Sequence, residues 1–213
     1  MKERLSKFYQ HFHERQEKYG FVHHLSAKIR YFQAQIGKNK KILDLGCRDG
    51  TMAKVFAAGN DLTGVDIDPK ACELCRHNLG IKVIWHDLNE PLPFADASYD
   101  IVVLSDVLEH VFLTEPLLTE IYRVLKPGGL FLGSTPNAYY WSNRWHMAKG
   151  QDLIEYIDAT HVRHFSLASL KGLLHNHFDS VAVIPYGQHI FSQYWPTMFA
   201  GDFFWKSIKK KGG

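Results

Sequence analysis

Ile42-Leu-Asp-Leu-Gly-Cys-Arg-Asp-Gly50 is the stretch of sequence that decides the fold. Residues 41–46 form a short apolar run that ends in glycine, a pattern typical of a buried parallel strand. Gly46 and Gly50 would let the backbone turn sharply and come close to a ligand. Asp44 places a carboxylate at the end of this strand, where we expect it to face a crevice.

A second acidic residue follows at the spacing that a nucleoside site requires. Asp66 lies 22 residues after Asp44, at the end of a strand predicted over residues 61–67. A carboxylate in this position can accept two hydrogen bonds from ribose hydroxyls. Asp68 is interpreted instead as the cap of the next helix, with Pro69 at its first position.

The glycine spacing argues against a nicotinamide-dinucleotide site. Counted from Gly46, the G-x-G-x-x-G fingerprint requires glycine at position 48 and glycine or alanine at position 51. The chain has Arg48 and Thr51 at these positions. A nicotinamide-dependent oxidoreductase is therefore disfavoured.

Strands alternate with helices along the rest of the chain. Further strands are predicted over residues 81–85, 99–105, 130–134, 181–185 and, at the C-terminal edge of the sheet, 203–208. This alternation predicts an α/β fold, a Rossmann-like, doubly wound and mostly parallel seven-stranded sheet with helices on both faces. Ligands of such sheets bind outside the carboxyl ends of the strands, so we expect site residues directly after them.

Composition and charge limit the classes of protein that fit. A chain of 213 residues suits one domain, and a net charge of +3 without a basic face argues against a nucleic-acid partner. There is no stretch of about 18 apolar residues that would cross a membrane, and the polar N-terminus does not resemble a signal peptide. Three cysteines fit a reducing compartment, which predicts a cytoplasmic location. Cys72 and Cys75 form a CxxC that we interpret as two helix residues.

Five motifs in order resemble those of a known family. They are ILDLGCRDG (42–50), GVDIDP (64–69), HDLNEPLPFADASYDIVVLSDVLEHV (86–111), LKPGGLFLGSTPN (125–137) and HVRHFSLASLKGLL (161–174). Residues 38–185 resemble class I S-adenosylmethionine-dependent methyltransferases of the type 11 group, which includes quinone-pathway O-methyltransferases and enzymes of glycan clusters. One such motif alone is weak, whereas five in register are specific.

The resemblance implies S-adenosylmethionine as the cofactor and assigns residues to each of its parts. These are Asp44, Gly46, Cys47 and Gly50 around the amino-acid end and sulfonium, Asp66 at the ribose, Ile67, Asp87 and Leu88 at the adenine, and Ser105 and Asp106 at the methyl-transfer pocket.

Arg48 departs from the family pattern, which has glycine at this position. Its side chain must point away from the cofactor, meet the cofactor's carboxylate, or crowd the site. A non-catalytic cofactor- or partner-binding module on the same fold is therefore the alternative to an active enzyme.

The expected reaction is methyl transfer to a small-molecule or glycan acceptor at oxygen, for which a histidine could remove the proton. His110 is the first candidate, because a helical turn would bring Asp106 to its ring; a structural role for His110 is equally compatible with the sequence. His161 is the second candidate. The HxxH spacing of His161 and His164 offers no third ligand nearby, so we predict no metal site.

The resemblance also suggests how the chain is divided. Residues 1–37 carry a helical pattern and would form an N-terminal extension, a lid over the cofactor and part of the acceptor pocket. Residues 38–213 would form the methyltransferase domain, with an acceptor-side insertion at about 136–165. The aromatic tail over residues 191–205 is interpreted as a loop leading to the edge strand, with weak contact to a membrane surface as the alternative.

Overall fold

A seven-stranded sheet forms the centre of the computed structural model, which describes residues 2–151 and 160–210. The strands are β1 (Lys41–Leu45), β2 (Asp61–Asp66), β3 (Lys82–Trp85), β4 (Tyr99–Ser105), β5 (Leu125–Pro136), β6 (Ser180–Tyr186) and β7 (Asp202–Ile208). Their order in the sheet is β3-β2-β1-β4-β5-β7-β6. The first five strands are parallel, and β7 is antiparallel to both β5 and β6. The predicted Rossmann-like fold class is confirmed.

Helices cover both faces of this sheet. Those of the described residues are α1 (Lys2–Arg15), α2 (Leu25–Gln35), α3 (Lys54–Ala57), α4 (Pro69–Leu79), α5 (Thr114–Val124), α6 (Trp141–Ala148), α7 (Leu167–His175) and α8 (Pro196–Phe199). Adjacent residues of β1 point to opposite layers, because strand side chains alternate. Ile42 lies in a buried cluster with Phe32 of α2, whereas Leu43 lies in another with Leu117 of α5.

Local sequence signals explain how α4 begins and ends. The Asp68 carboxylate accepts hydrogen bonds from the backbone N–H groups of Lys70 and Ala71, and Pro69 takes the first helical position. Gly80 ends the helix in the left-handed conformation, with φ of 63°. The predicted cap is confirmed. Cys72 and Cys75 are buried residues of this helix, as interpreted from the sequence.

The position of β7 corrects the prediction of a C-terminal edge strand. β7 lies between β5 and β6, with Asp202 paired with Pro136 on one side and Tyr186 on the other. Trp205 is 0% exposed, and its ring fills the space that a side chain at Gly133 would need. The apolar run over residues 203–205 therefore belongs to an interior strand. The place of β7 at the end of the strand sequence did not predict its place in the sheet.

The fifth strand is also longer than predicted, because pairing with β4 begins before the Pro-Gly-Gly turn. Leu125 pairs with Tyr99, the register then shifts, and Leu130 pairs with Ile101. At its other end β5 continues to Pro136, where it pairs with Asp202 of β7. The carboxyl end of β5 therefore lies on the same side of the sheet as the ends of β1 and β4.

Candidate functional site

A cavity of about 820 Å³ opens at the carboxyl ends of the parallel strands. This volume lies in the range of roughly 300–1,000 Å³ that is usual for small-molecule sites. The predicted site residues that line it are Asp44, Gly46, Cys47, Arg48, Asp66, Ile67, Asp87, Leu88, Ser105, Asp106, His110 and His161. Gly50 does not belong to this lining, and a Cβ built there would lie 2.8 Å from Leu79 of α4. Its role in the structure is close packing of the loop against that helix.

Gly46 turns the chain from β1 into the cavity. Its φ is 77°, and its backbone N–H donates to the Val65 carbonyl at 2.7 Å. A Cβ at this position would collide with Val107, which follows β4. The turn therefore requires glycine for both its backbone conformation and its contact with β4.

Two buried carboxylates lie next to this turn. Asp66 accepts hydrogen bonds from the backbone N–H groups of Arg48 and Asp68, at 2.8 and 2.9 Å, which fix its orientation. Asp44 is 3% exposed, and no described residue donates a hydrogen bond to its carboxylate. Burial, together with the nearby Asp66, raises the pKa of Asp44 to about 7.

This pair of acids is suited to a ligand that brings positive charge and hydroxyl donors, because burial disfavours uncompensated negative charge. S-adenosylmethionine carries an ammonium, a sulfonium and ribose hydroxyls. The two carboxylates therefore fit the cofactor that the resemblance implies.

The residues expected at the adenine, Asp87 and Leu88, belong to a hydrogen-bonded loop after β3. Asp87 Oδ1 accepts from the backbone N–H and the side-chain amide of Asn89, at 2.9 and 2.8 Å. Asn89 Oδ1 in turn accepts from the backbone N–H groups of Phe112 and Leu113. The loop after β3 is thus tied to the loop after β4, and Asp87 is buried at a fixed position in the cavity wall.

Arg48 connects the first loop to the segment between α1 and α2. Its guanidinium donates to the Phe21 carbonyl, and its Nε lies 3.6 Å from Asp49 Oδ1. Asp49 also accepts from the Gly20 backbone N–H. The side chain thus reaches to the N-terminal segment while Arg48 still lines the cavity, and its effect on the cofactor stays a prediction.

Asp106 is paired with a lysine, which corrects the expectation that it orients His110. The Lys28 ammonium, fully buried on α2, donates to Asp106 and to the His23 carbonyl. Burial acts to raise the pKa of Asp106, but the positive charge of Lys28 and its hydrogen bond outweigh this effect and lower the pKa. The ion pair fastens α2 to the end of β4.

His110 takes its hydrogen bond from a residue far along the chain. Its Nδ1 lies 2.9 Å from the Thr160 hydroxyl and 3.2 Å from the Thr160 carbonyl. The rings of His110 and His161 lie 4.7 Å apart. Residues 108–110 form a short 3-10 turn rather than an α-helical turn, so Asp106 and His110 do not share a helix face.

Two groups of side chains in the cavity could each offer three ligands to a metal ion. One is Glu109, His110 and His161; the other is His23, His24 and Asp202, with all ligand atoms of a group within 4.8 Å of one another. The sequence offered no third ligand for His161, and the structure supplies Glu109. Burial and the nearby Asp106 raise the pKa of Glu109 well above its usual value. The expectation of no metal remains a prediction.

The second group contains the cavity residues that sequence reasoning missed. His24 Nδ1 lies 2.6 Å from Asp202 Oδ2, and the rings of His23 and His24 lie 4.0 Å apart. His24 and Asp202 are separated by 178 residues, and no local spacing joins them. In the sequence, the one indication was that a polar residue, Asp202, precedes the apolar run of β7.

The chain is similar in sequence to proteins that are named methyltransferases. A family model described as a methyltransferase domain matches residues 43–133. A protein of Mycolicibacterium smegmatis, named a probable S-adenosylmethionine-dependent methyltransferase, is 32% identical over 160 residues, which cover 75% of this chain and 58% of that one. A ubiquinone biosynthesis O-methyltransferase of Hydrogenovibrio crunogenus is 32% identical over 132 residues, 58% of this chain and 55% of that one.

Solved structures agree on the fold. The crystal structure of a SAM-dependent methyltransferase from Thermotoga maritima superposes with a TM-score of 0.74 at 18% identity, covering 95% of this chain and 98% of that one. At this identity the likeness establishes the fold alone. The chain spans less than two thirds of the length of both curated relatives.

Proposed function

We propose that the chain is a class I S-adenosylmethionine-dependent methyltransferase, which the match of residues 43–133 to a methyltransferase-domain model supports, and that it transfers a methyl group to an oxygen of a small-molecule or glycan acceptor. The observation that carries the proposal is the cavity in which buried Asp44 and Asp66 lie on the same sheet edge as His110 and His161. S-adenosylmethionine supplies an electrophilic methyl carbon when bound. The residues of the chain hold the acceptor in line with that carbon and take up a proton.

The predicted division of the chain supports this proposal. Within the extension over residues 1–37, Tyr9, His13 and His24 line the cavity, as a lid would. We propose that residues 38–213 form the methyltransferase domain and that the insertion at about 136–165 contacts the acceptor. Asn137, Tyr140 and Asn143 of that insertion line the cavity; residues 152–159 lie outside the described part of the chain.

An oxygen acceptor is supported by two features. The first is the pair of imidazoles in the cavity, His110 and His161, which are suited to accepting a proton from a hydroxyl near neutral pH. The second is the naming of the relative from Hydrogenovibrio crunogenus as an O-methyltransferase. Amide and aromatic side chains in the insertion are suited to a sugar or to an aromatic ring, which is why the acceptor is proposed as a small molecule or glycan.

We also propose a cytoplasmic location with weak contact to a membrane surface. None of the helices in residues 2–151 and 160–210 is both long and apolar enough to cross a bilayer. Ile190, Phe191, Tyr194 and Trp195 expose more than half of their surface in the C-terminal part, a composition suited to the lipid headgroup region. Sedimentation with anionic lipid vesicles would measure this contact, and a chain that stays entirely in the supernatant would rule it out.

Calorimetric titration with S-adenosylmethionine, S-adenosylhomocysteine and NAD tests the proposal first. We expect micromolar affinity for the first two and no binding of NAD, because the cavity offers a ribose-binding acid without a dinucleotide loop. Absence of binding by either of the first two would favour the non-catalytic module. Transfer of labelled methyl to a panel of phenols and methyl glycosides, with amines as controls, then tests for an oxygen acceptor.

Two variants make the titration specific. Asp66→Ala should weaken cofactor binding by about 1.5–3 kcal/mol, because hydrogen bonds to a charged group are lost. Arg48→Gly should change the affinity by less than about threefold, or under 1 kcal/mol, because the side chain donates to the Phe21 carbonyl while the backbone N–H that holds Asp66 is kept. Unchanged affinity in Asp66→Ala would contradict the ribose assignment.

A further inference from the structure

We propose that His24 and Asp202 form a catalytic dyad in which His24 accepts the proton of the acceptor hydroxyl. The inference rests on the proposed function, since it concerns the same transfer of a methyl group to oxygen. It adds a base from the N-terminal extension, at a position where the sequence indicated none.

The dyad has the geometry of an imidazole oriented by a carboxylate. His24 Nδ1 lies 2.6 Å from Asp202 Oδ2, so the proton of the neutral ring belongs on Nδ1. Nε2 then carries the lone pair on the opposite side of the ring. Among the described residues, no hydrogen bond uses His24 Nε2. Asp202 is 2% exposed, whereas His24 is 27% exposed and lines the cavity.

The antiparallel insertion of β7 places Asp202 at the reacting edge of the sheet. Asp202 is the first residue of β7 and pairs with Pro136, the last residue of β5. A parallel strand at this place would have brought its last residue there instead. Asn137, directly after β5, donates its backbone N–H to the Gly201 carbonyl at 2.7 Å and so fixes the start of β7.

The backbone holds His24 in a conformation that non-glycine residues rarely adopt. Its φ is 49° and its ψ is 37°, and its carbonyl accepts from the backbone N–H groups of Ala27 and Lys28 in the first turn of α2. Lys28 also donates to the His23 carbonyl and pairs with Asp106 after β4. Left-handed conformations of this kind are concentrated at functional sites, and here the strain aims the ring at Asp202.

The groups around the dyad shift the pKa values of the two neighbouring imidazoles, His23 and His24, in opposite directions. The hydrogen bond to Asp202 raises the pKa of His24, whereas burial and then His24 lower the pKa of His23. Lys28 acts against protonation of both rings, and Asp106 acts in favour of it. The ring of Tyr186 on β6 lies 5.9 Å from His24.

The proton balance of the step follows from this arrangement. A lone pair of the acceptor oxygen forms the new O–C bond to the methyl carbon, and the C–S bond breaks with its electron pair left on sulfur. The hydroxyl proton passes to Nε2 of His24, giving an imidazolium whose charge Asp202 stabilises, and then leaves to water.

Nitrogen NMR of the full chain, labelled with ¹⁵N-histidine and saturated with S-adenosylhomocysteine, tests the dyad without any acceptor. His24→Gln assigns the signals, and His77→Gln, an exposed position on α4 away from the cavity, is the matched control. We expect neutral His24 to carry its proton on Nδ1 and its pKa to fall by about one pH unit in Asp202→Asn. A neutral ring protonated on Nε2 would overturn the proposal, because no lone pair would then be available.

Methyl transfer to the phenol and glycoside panel tests the role in catalysis. His24→Gln should lower kcat about 100-fold, leave KM and the affinity for S-adenosylhomocysteine within twofold, and remove the acidic limb of the kcat–pH profile. His77→Gln should match the unaltered chain. A retained acidic limb in His24→Gln, in a variant that still binds S-adenosylhomocysteine, would overturn the proposal. If the unaltered chain binds cofactor but methylates no hydroxyl, O-methylation fails as the function, and the NMR result separately decides whether the dyad exists.

Discussion

The two sides of the cavity that we propose for the cofactor and for the acceptor, the cofactor side and the acceptor side, are built in different ways. On the cofactor side, Asp44 lies within β1, Asp66 is the last residue of β2 and Asp87 comes shortly after β3; these three strands are adjacent and parallel. On the acceptor side, His24 comes from the N-terminal extension and Asp202 from the last strand. The first side depends on turn geometry, which is local; the second depends on the order of strands in the sheet.

Different contacts also hold the two sides in place. On the cofactor side, Gly46 and the backbone N–H groups around Asp66 set the turn, and Arg48 ties this turn to the Phe21 carbonyl before α2. The acceptor side requires that Trp205 be packed inside the sheet and that Lys28 reach Asp106. Substitutions in these long-range contacts should therefore damage the acceptor side first.

The largest effect is expected for Trp205→Ala. Trp205 is fully buried against Phe131 and Gly133 in the interior strand, so its loss leaves a large cavity and should lower the free energy of unfolding by roughly 3–5 kcal/mol. Urea unfolding followed by circular dichroism measures this change. Trp195→Ala, at a residue 62% exposed, is the control and should stay within about 0.5 kcal/mol. Equal effects of the two substitutions would contradict the interior position of β7.

Lys28→Met should have the next largest effect. It leaves Asp106, whose side chain is 26% exposed, without the counter-charge of the fully buried Lys28, which should cost about 3 kcal/mol of unfolding free energy, the low end for a buried pair. The double substitution Lys28→Met with Asp106→Leu should recover much of this loss, because no unpaired charge remains. Denaturant titration of Lys28→Met, Asp106→Leu and the double variant completes the cycle. If the double variant were as unstable as the sum of the single ones, the ion pair would not fasten α2 to β4.

Asp44→Asn should have a smaller effect that depends on pH. Asp44 has a pKa of about 7 in the folded chain, against about 3.9 when unfolded. Between these values the folded chain keeps a proton that the unfolded chain has lost, so the contribution of Asp44 to stability falls as pH rises from about 4 to 7 and is constant above.

The neutral amide avoids this cost. Asp44→Asn should therefore exceed the unaltered chain in unfolding free energy by on the order of 2 kcal/mol at pH 8, with a much smaller gain at pH 5. Its affinity for S-adenosylmethionine should fall, since the cationic parts of the ligand lose a counter-charge. Denaturation at the two pH values, with calorimetry at pH 8, measures both. A stability gain that is equal at pH 5 and pH 8 would contradict the raised pKa.

Local signals explain how much of the molecule could be predicted from the sequence. The apolar run over residues 99–105 predicted β4 with its observed bounds, and Asp68 followed by Pro69 predicted the start of α4. Most of the residues expected at the cofactor also line the cavity, because each acid lies at or near the carboxyl end of its own strand. These features depend on neighbours within a few residues, which a single sequence displays.

The remaining features depend on which distant elements pack together. The sequence contains Lys28 and Asp106, Glu109 and His161, and His24 and Asp202, but no spacing rule joins the members of a pair. Asp106 was therefore assigned to the wrong partner, His110. Sheet order decides such pairs, and the order β5-β7-β6 could not be read from strands that occur in the sequence as β5, β6 and β7.

The interior position of β7 has a consequence for folding during synthesis. A ribosome releases residues 180–186 before residues 202–208, so β6 leaves the exit tunnel before the strand that separates it from β5. Until β7 arrives, the edge of β5 is unpaired and open to association with other nascent chains. The cofactor side can form on the emerging chain, whereas the acceptor side is completed only by the last strand to be translated.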